Sequence, residues 1–203
     1  MDTDTWLIYL LAVTGLSLTP GPNSLLALSH GARYGHRRTL WTILGGTVGF
    51  VLLMALSMAG IGALLQASAH ALSVMKLVGG AYLIWLGVQL WRAPPLALDA
   101  VPATAHERGS RLFAQGFLAA ASNPKVLLFY GAFLPQFIDP TRPVVHQFVV
   151  MAASFALVEA LVEYLLARLA HRVRPWLQRS GRRFNRACGG LFVALGAALP
   201  MSR

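Results

Sequence analysis

Charge is scarce in this chain. Asp, Glu, Lys and Arg make up 12% of its 203 residues, about half the roughly 25% share of an ordinary soluble domain. Acid is scarcer still, with 7 Asp and Glu against 17 Lys and Arg. The single cysteine, Cys188, excludes an internal disulfide, a CxxC redox pair and a four-thiolate zinc site. The six histidines (His30, His36, His70, His106, His146 and His171) are scattered without ligand spacing, so no metal site and no cofactor is expected. No Ser/His or paired-Asp constellation shares one depth, so no catalytic residues are assigned and the chain does not read as an enzyme. What remains is a composition that is 56% hydrophobic with a mean hydropathy of +0.59. Disordered, coiled-coil and disulfide-scaffold classes are excluded, and an integral membrane protein is expected.

A helix needs about 20 apolar residues to cross the hydrocarbon core. Trp6 to Leu28 holds no charge, nor does Thr39 to Met75, which carries a polar break at Gln66 to His70. Leu72 to Trp91 contains Lys76 alone and Leu112 to Ile138 contains Lys125 alone. Val144 to Leu169 contains Glu159, Glu163 and Arg168, and a shorter last run covers Ala187 to Ser202. These predict six transmembrane helices with mostly short loops. The ten-residue alternation of spanning strands is absent.

Thirteen of the 17 basic residues fall between spans 1 and 2, 3 and 4, and 5 and 6. The positive-inside rule makes those connections cytoplasmic, leaving both termini periplasmic. A net charge of +10 would point to nucleic acid in a soluble protein, or to anionic lipid here. Topology already accounts for the arginines, so membrane lipid and not nucleic acid is the expected surrounding.

A faint duplication runs through the chain. Lys76-Leu-Val-Gly-Gly-Ala-Tyr-Leu83 and Arg186-Ala-Cys-Gly-Gly-Leu-Phe-Val193 share a basic-x-x-Gly-Gly-x-aromatic-aliphatic pattern at a constant offset of 110. Span 1 is interrupted by Thr19-Pro-Gly-Pro-Asn23 and span 4 by Ser122-Asn-Pro-Lys125. Three spans per half is an odd number, so the second half is predicted to lie inverted. The expected fold is an all-α membrane protein, one transporter domain over 1–203. It divides into a first repeat at about 5–92, a cytoplasmic loop at about 93–111 and a second repeat at about 112–203. Paired Gly/Pro interruptions point to the binding site of such carriers.

Pro20 and Pro22 lack backbone N–H groups, which should free the carbonyls of Leu16 and Leu18. Gly21 permits a tight reversal, Asn23 is a good N-cap for a new half-helix, and Asn123 caps a second one with Pro124 at its first position. Two such ends facing each other present N–H donors and positive dipole ends, suited to an amino-acid carboxylate. Lys125, about 18 Å into span 4, either handles substrate or protons or ties down the carbonyls of a kink. Glu159 and Glu163 are four apart and share a face. Glu159 is read as a proton carrier or as a structural partner of Lys125. Glu163, closer to Arg168, is read as an ordinary ion pair or a solvated group, and stays the second proton-coupling candidate. Gly45-x-x-x-Gly49 should let its helix pack closely on a neighbour. Trp85, Trp91 and Tyr82 read as lipid-facing or belt aromatics.

At these residues the chain resembles the LysE/RhtB amino-acid exporters. The resemblance rests on Thr19-Pro-Gly-Pro-Asn23 with Gly31 to Gly35, Gly45 and Gly49, Met75 to Gly87, Gly116-Phe117 with Asn123-Pro-Lys125, and Phe133-Leu-Pro-Gln-Phe137. It implies a bacterial inner-membrane carrier that exports amino acids or close derivatives with the proton gradient, and a tendency to work as homo-oligomers. It carries substrate-binding roles onto Pro20, Gly21, Pro22, Asn23, Asn123, Pro124 and Lys125. Many members place an acidic or polar residue where this chain has Phe50, which leaves Glu159 as the titrating group and tilts the expectation toward neutral substrates. The alternatives are an exporter of another small solute or a metal ion, or a non-transporting scaffold on the same frame.

Overall fold

The computed structural model describes residues 1–19, 21–67, 69–93, 107–121 and 124–198. Among them the chain forms α1 (Thr3–Leu18), α2 (Pro22–Tyr34), α3 (His36–Ala67), α4 (Ala69–Arg92), α5 (Gly109–Ala121), α6 (Pro124–Phe133), a 3-10 turn (Leu134–Phe137), α7 (Val144–Arg168) and α8 (Ala170–Ala198). The described residues contain no strand. The first apolar run is divided between α1 and α2, and the fourth between α5 and α6. Among the described residues, two stretches are long and apolar enough to cross a bilayer, His36–Ile61 and Val144–Arg168, and Thr3–Leu18 is a shorter apolar helix.

Local chemistry sets the joints. Asp2 caps α1, its Oδ1 accepting from the Thr5 N–H at 2.8 Å. Between α2 and α3 the chain turns on Gly35 alone, at φ +78°, a backbone region that residues with a Cβ rarely adopt. Before α7, Asp139 Oδ1 accepts from the Thr141 N–H and hydroxyl. The Gln147 amide accepts from the Asp139 N–H and donates to the Asp139 and Arg142 carbonyls. That lashes the turn to the helix it precedes.

The basic stretch 170–186 corrects an expectation. It is the first part of one continuous helix, α8, not a loop between spans. Arginine is a good helix former, so a dense run of it marks a side of the membrane without marking irregular backbone.

Glycines bring the helices together. A Cβ on Gly45 would fall on the Phe113 backbone, one on Gly46 would lie 3.7 Å from the Gly116 carbonyl oxygen, and one on Gly49 would fall against Ala120. The facing numbers rise together, so α3 and α5 run in the same direction. Tyr9 donates to the Met151 carbonyl at 2.9 Å and Gly31 abuts Ala167, so the α1–α2 run is likewise parallel to α7. Gly80 faces Gly196 and Gly87 faces Gly189, which makes α4 and α8 antiparallel.

The packing is apolar outside as well as in. Leu7, Leu11, Leu52, Leu56, Leu77, Val78, Trp85, Val145, Leu157 and Leu161 are all between two-fifths and three-quarters exposed. Thr19, Asn23, Ser24, Gln147, Glu159 and Glu163 are buried. The interior is closed by aromatics: Tyr9 on Phe137 at 5.3 Å, Phe129 on Phe133 at 4.6 Å and Tyr130 on Phe155 at 5.7 Å.

Candidate substrate site at the helix breaks

Helix α1 ends at Thr19, whose N–H donates to the carbonyls of Gly15 and Leu16 and whose hydroxyl donates to Gly15 at 2.8 Å. The Leu16 carbonyl is therefore not left free, because the last turn tightens to reach it. Pro20 lies outside the described residues. Gly21 is extended at φ −140°, ψ 178°, a conformation open to any residue, so no tight reversal is made there. Gly21 is also the N-cap of α2, with Pro22 in its first helical position. Asn23, expected as the cap, stands inside the first turn instead. Pro22 is suited to the first helical position and holds the residue before it extended, so the cap falls on Gly21.

Gly21 has no side chain to cap the helix, so the first-turn N–H groups of Asn23 and Ser24 lack both an intrahelical partner and a cap. The Asn23 side chain turns to α5, Nδ2 donating to the Gly116 carbonyl at 3.5 Å. Gly46 on α3 makes room for it, since a Cβ there would stand 2.5 Å from Nδ2. The Asn23 Oδ1 is buried without a hydrogen-bond partner.

These residues line a cavity. Its wall is Leu16, Thr19, Gly21, Pro22, Asn23 and Ser24 from the first break, Phe50 from α3, Val126 and Phe129 from α6, and Phe155 and Glu159 from α7. The cavity itself is small, about 50 Å³, room for a few waters and below the roughly 300–1,000 Å³ of drug-sized ligand sites. Phe50 meets Phe155 edge to face, with centroids 5.6 Å apart at 81°. The wall is thus part polar and part aromatic.

Of the residues singled out from sequence, Gly21, Pro22, Asn23 and Glu159 come together here. Pro124 is the first residue of α6 and Lys125 the second, one step before the cavity residue Val126. Ser122 and Asn123 lie outside the described residues. Glu163 corrects its expectation: it is 1% exposed, has no ion pair with Arg168 among the described residues, and its Oε1 has no hydrogen-bond partner. Its surroundings are the Glu159 carboxyl, which in turn has Ser17 beside it. The end of α7 packs against α2 through Ala167 and Gly31, so the face Glu163 shares with Glu159 stays covered almost to the helix terminus. Sequence reading missed Thr19, Ser24, Phe129 and Phe155 as cavity residues. Thr19 and Ser24 flank the break and were within its reach; the two aromatics carry no signal that separates them from ordinary core. Among the described residues, no three His, Cys, Asp or Glu gather as a metal would require.

Described residues that form helices and no strand, with an apolar exterior, buried polar groups and a broken helix opening onto a cavity, have the build of a membrane carrier. The family model of the LysE type translocator matches residues 14–203. The chain belongs to this family of membrane transporters. It is 36% identical to an uncharacterized membrane protein of Vibrio cholerae, with all of both chains covered. It is 33% identical to a homoserine/homoserine lactone efflux protein of Salmonella typhimurium, covering 100% of this chain and 99% of that one. It is also 27% identical to a leucine efflux protein of an Enterobacter species, covering 94% and 92%. No solved structure matches the chain.

Proposed function

We propose that this protein exports neutral amino acids or close derivatives across the bacterial inner membrane, driven by protons. The observation that carries the proposal is the cavity in which the start of α2 meets α6, α3 and α7 with Glu159 in its wall. The uncapped N–H groups of Asn23 and Ser24, the N-terminus of α6 and Lys125 hold the substrate carboxylate. Asn23 Oδ1, which lacks a partner, accepts from the substrate ammonium. The aromatic wall of Phe50, Phe129 and Phe155 takes an uncharged side chain. Glu159 binds and releases the coupling proton, and Glu163 behind it passes the proton on. The named activities of the relatives, efflux of homoserine or its lactone and of leucine, agree with a neutral substrate.

The proposal includes six spans in two inverted halves, with both termini periplasmic. Its support is the pairing of directions. Span 2 (α3) runs parallel to span 4 through α5, and span 5 (α7) runs parallel to span 1, which is the same relation with the halves exchanged. Spans 3 and 6 (α4 and α8) pair antiparallel glycine to glycine, as corresponding helices must across a twofold axis in the membrane plane.

Uptake of labelled amino acids into inverted membrane vesicles, with and without an imposed proton gradient, tests the reading. Gradient-dependent accumulation of leucine or homoserine, abolished by Lys125→Ala in protein that still inserts, is the expected result. Homoserine lactone has no free carboxylate, so equal transport of lactone and amino acid would remove the carboxylate clamp. Silence across neutral, basic and acidic amino acids and their derivatives would remove the exporter reading.

A further inference from the structure

On the outer surface, a groove between α4 and α8 is lined by Val88, Trp91, Arg92, Gly190, Val193 and Ala194. Its residues fall on two stripes at helical spacing. Val88, Trp91 and Arg92 stand three and four apart on α4, while Arg186, Gly190 and Ala194 succeed one another every four residues on α8, so each set shares one helix face. The helices are antiparallel, with Gly87 against Gly189 and Gly80 against Gly196. The C-terminal end of the α4 stripe therefore lies at the N-terminal end of the α8 stripe. That brings Arg92 and Arg186 to one end of the groove, with Val88, Val193 and Ala194 along the rest.

The groove exists because Gly190 has no side chain: a Cβ there would meet the Trp91 ring at 3.2 Å. Both arginines are exposed, and among the described residues neither has an acidic partner within 4 Å. The basic end belongs to the same side as Arg179, Arg182 and Arg183, all charged and exposed. An apolar channel that ends in two exposed cations beside a half-exposed indole matches one kind of occupant, an acyl chain attached to a negative headgroup.

We propose that this groove is a binding site for an anionic phospholipid, its phosphate on Arg92 and Arg186 and one acyl chain along Gly190, Val193 and Ala194. The site requires only that this end of α4 reach a bilayer surface, and it stands apart from the transport cavity.

The test is native mass spectrometry of the purified full-length protein in mild detergent with equimolar dioleoyl-phosphatidylglycerol and dioleoyl-phosphatidylcholine. Two charge contacts predict that phosphatidylglycerol is retained over phosphatidylcholine by about thirtyfold. Arg92→Gln with Arg186→Gln should bring the ratio close to one, while the Lys pair at the same positions should keep it. Gly190→Leu, which fills the channel, should lower retention of both lipids. Equal retention of the two lipids by the unaltered protein would overturn the site, as would a preference that survives the double Gln variant. A concentration-dependent dimer broken by Gly190→Leu would overturn it too, making the groove a contact between copies of the chain.

Discussion

Gly87 and Gly189 face each other so closely across the α4–α8 contact that a Cβ on either would stand 2.6 or 2.5 Å from the other's carbonyl oxygen. The obstacle is backbone on both sides, so no rotamer change relieves it. Gly189→Ala should therefore force the helices apart, at the roughly 1–3 kcal/mol typical of overpacking. Gly60 on α3 has open space where its Cβ would be, and Gly60→Ala should be neutral or stabilising by about 0.5–1 kcal/mol from helix propensity. Thermal unfolding in detergent separates the two: a fall of several degrees for Gly189→Ala and none for Gly60→Ala. Equal midpoints would mean that the α4–α8 contact is looser than its glycines make it.

Glu159 is both a cavity residue and a neighbour of the enclosed Glu163. If it carries the coupling proton, Glu159→Gln keeps its shape and removes its proton exchange. One proton moving through 100 mV supplies about 2.3 kcal/mol, which at 1.36 kcal/mol per decade sustains roughly a fifty-fold gradient of a neutral solute. The Gln variant should lose that accumulation and its dependence on pH while still exchanging internal for external substrate. Counterflow and gradient-driven uptake measured on one vesicle preparation distinguish these. An unchanged pH profile would return Glu159 to a structural role.

Asn23 tests the proposed ammonium contact. Hydrogen bonds to charged groups contribute about 1.5–3 kcal/mol, so Asn23→Ala should weaken substrate affinity by roughly ten- to a hundred-fold. Gly46→Ala should do the same indirectly, since its new Cβ would displace the Asn23 amide from the Gly116 carbonyl. Isothermal titration of the purified protein with homoserine or leucine reads both. Affinity unaffected by either change would place the ammonium elsewhere.

How far the fold could be read from sequence differs from element to element. The first break was legible because Pro20, Gly21 and Pro22 stand together inside an apolar run, and the close packing of Gly45 and Gly49 because small residues four apart have few other uses in such a helix. The N-cap was misassigned through residue preference alone: Asn is a better cap than Gly, yet the demand that Pro22 makes on its predecessor outranks that preference. Glu163 was misread because distance from the end of a helix gives depth along its axis, whereas exposure depends on which neighbour covers the face, here α2 through Gly31. Nor does anything local to Phe50 and Phe155 show that their rings meet. The aromatic part of the cavity wall exists only once α3 and α7 are packed.

That aromatic part sets the last prediction, which concerns specificity. Phe50 is 4% exposed and meets Phe155 edge to face, so α3 brings no charge of its own to the cavity wall, where Glu159 is the acidic group. Phe50→Leu keeps the wall apolar and forgoes a ring contact of about 0.5–1.5 kcal/mol. Transport of leucine should persist, with discrimination between leucine and homoserine shifting by less than the roughly 10–200-fold that a hydrophobic pocket achieves for one methylene. Phe50→Asp places a carboxylate at that wall and should admit lysine, at some cost in leucine transport because an unpaired buried charge is unfavourable. Competition of unlabelled lysine, leucine and homoserine against labelled leucine in vesicles reads the two variants together, and residual leucine uptake by the Asp variant verifies that it is folded. Lysine excluded from a folded Phe50→Asp protein would show that the side chain of the substrate does not lie against α3, and the proposed neutral preference would lose this support.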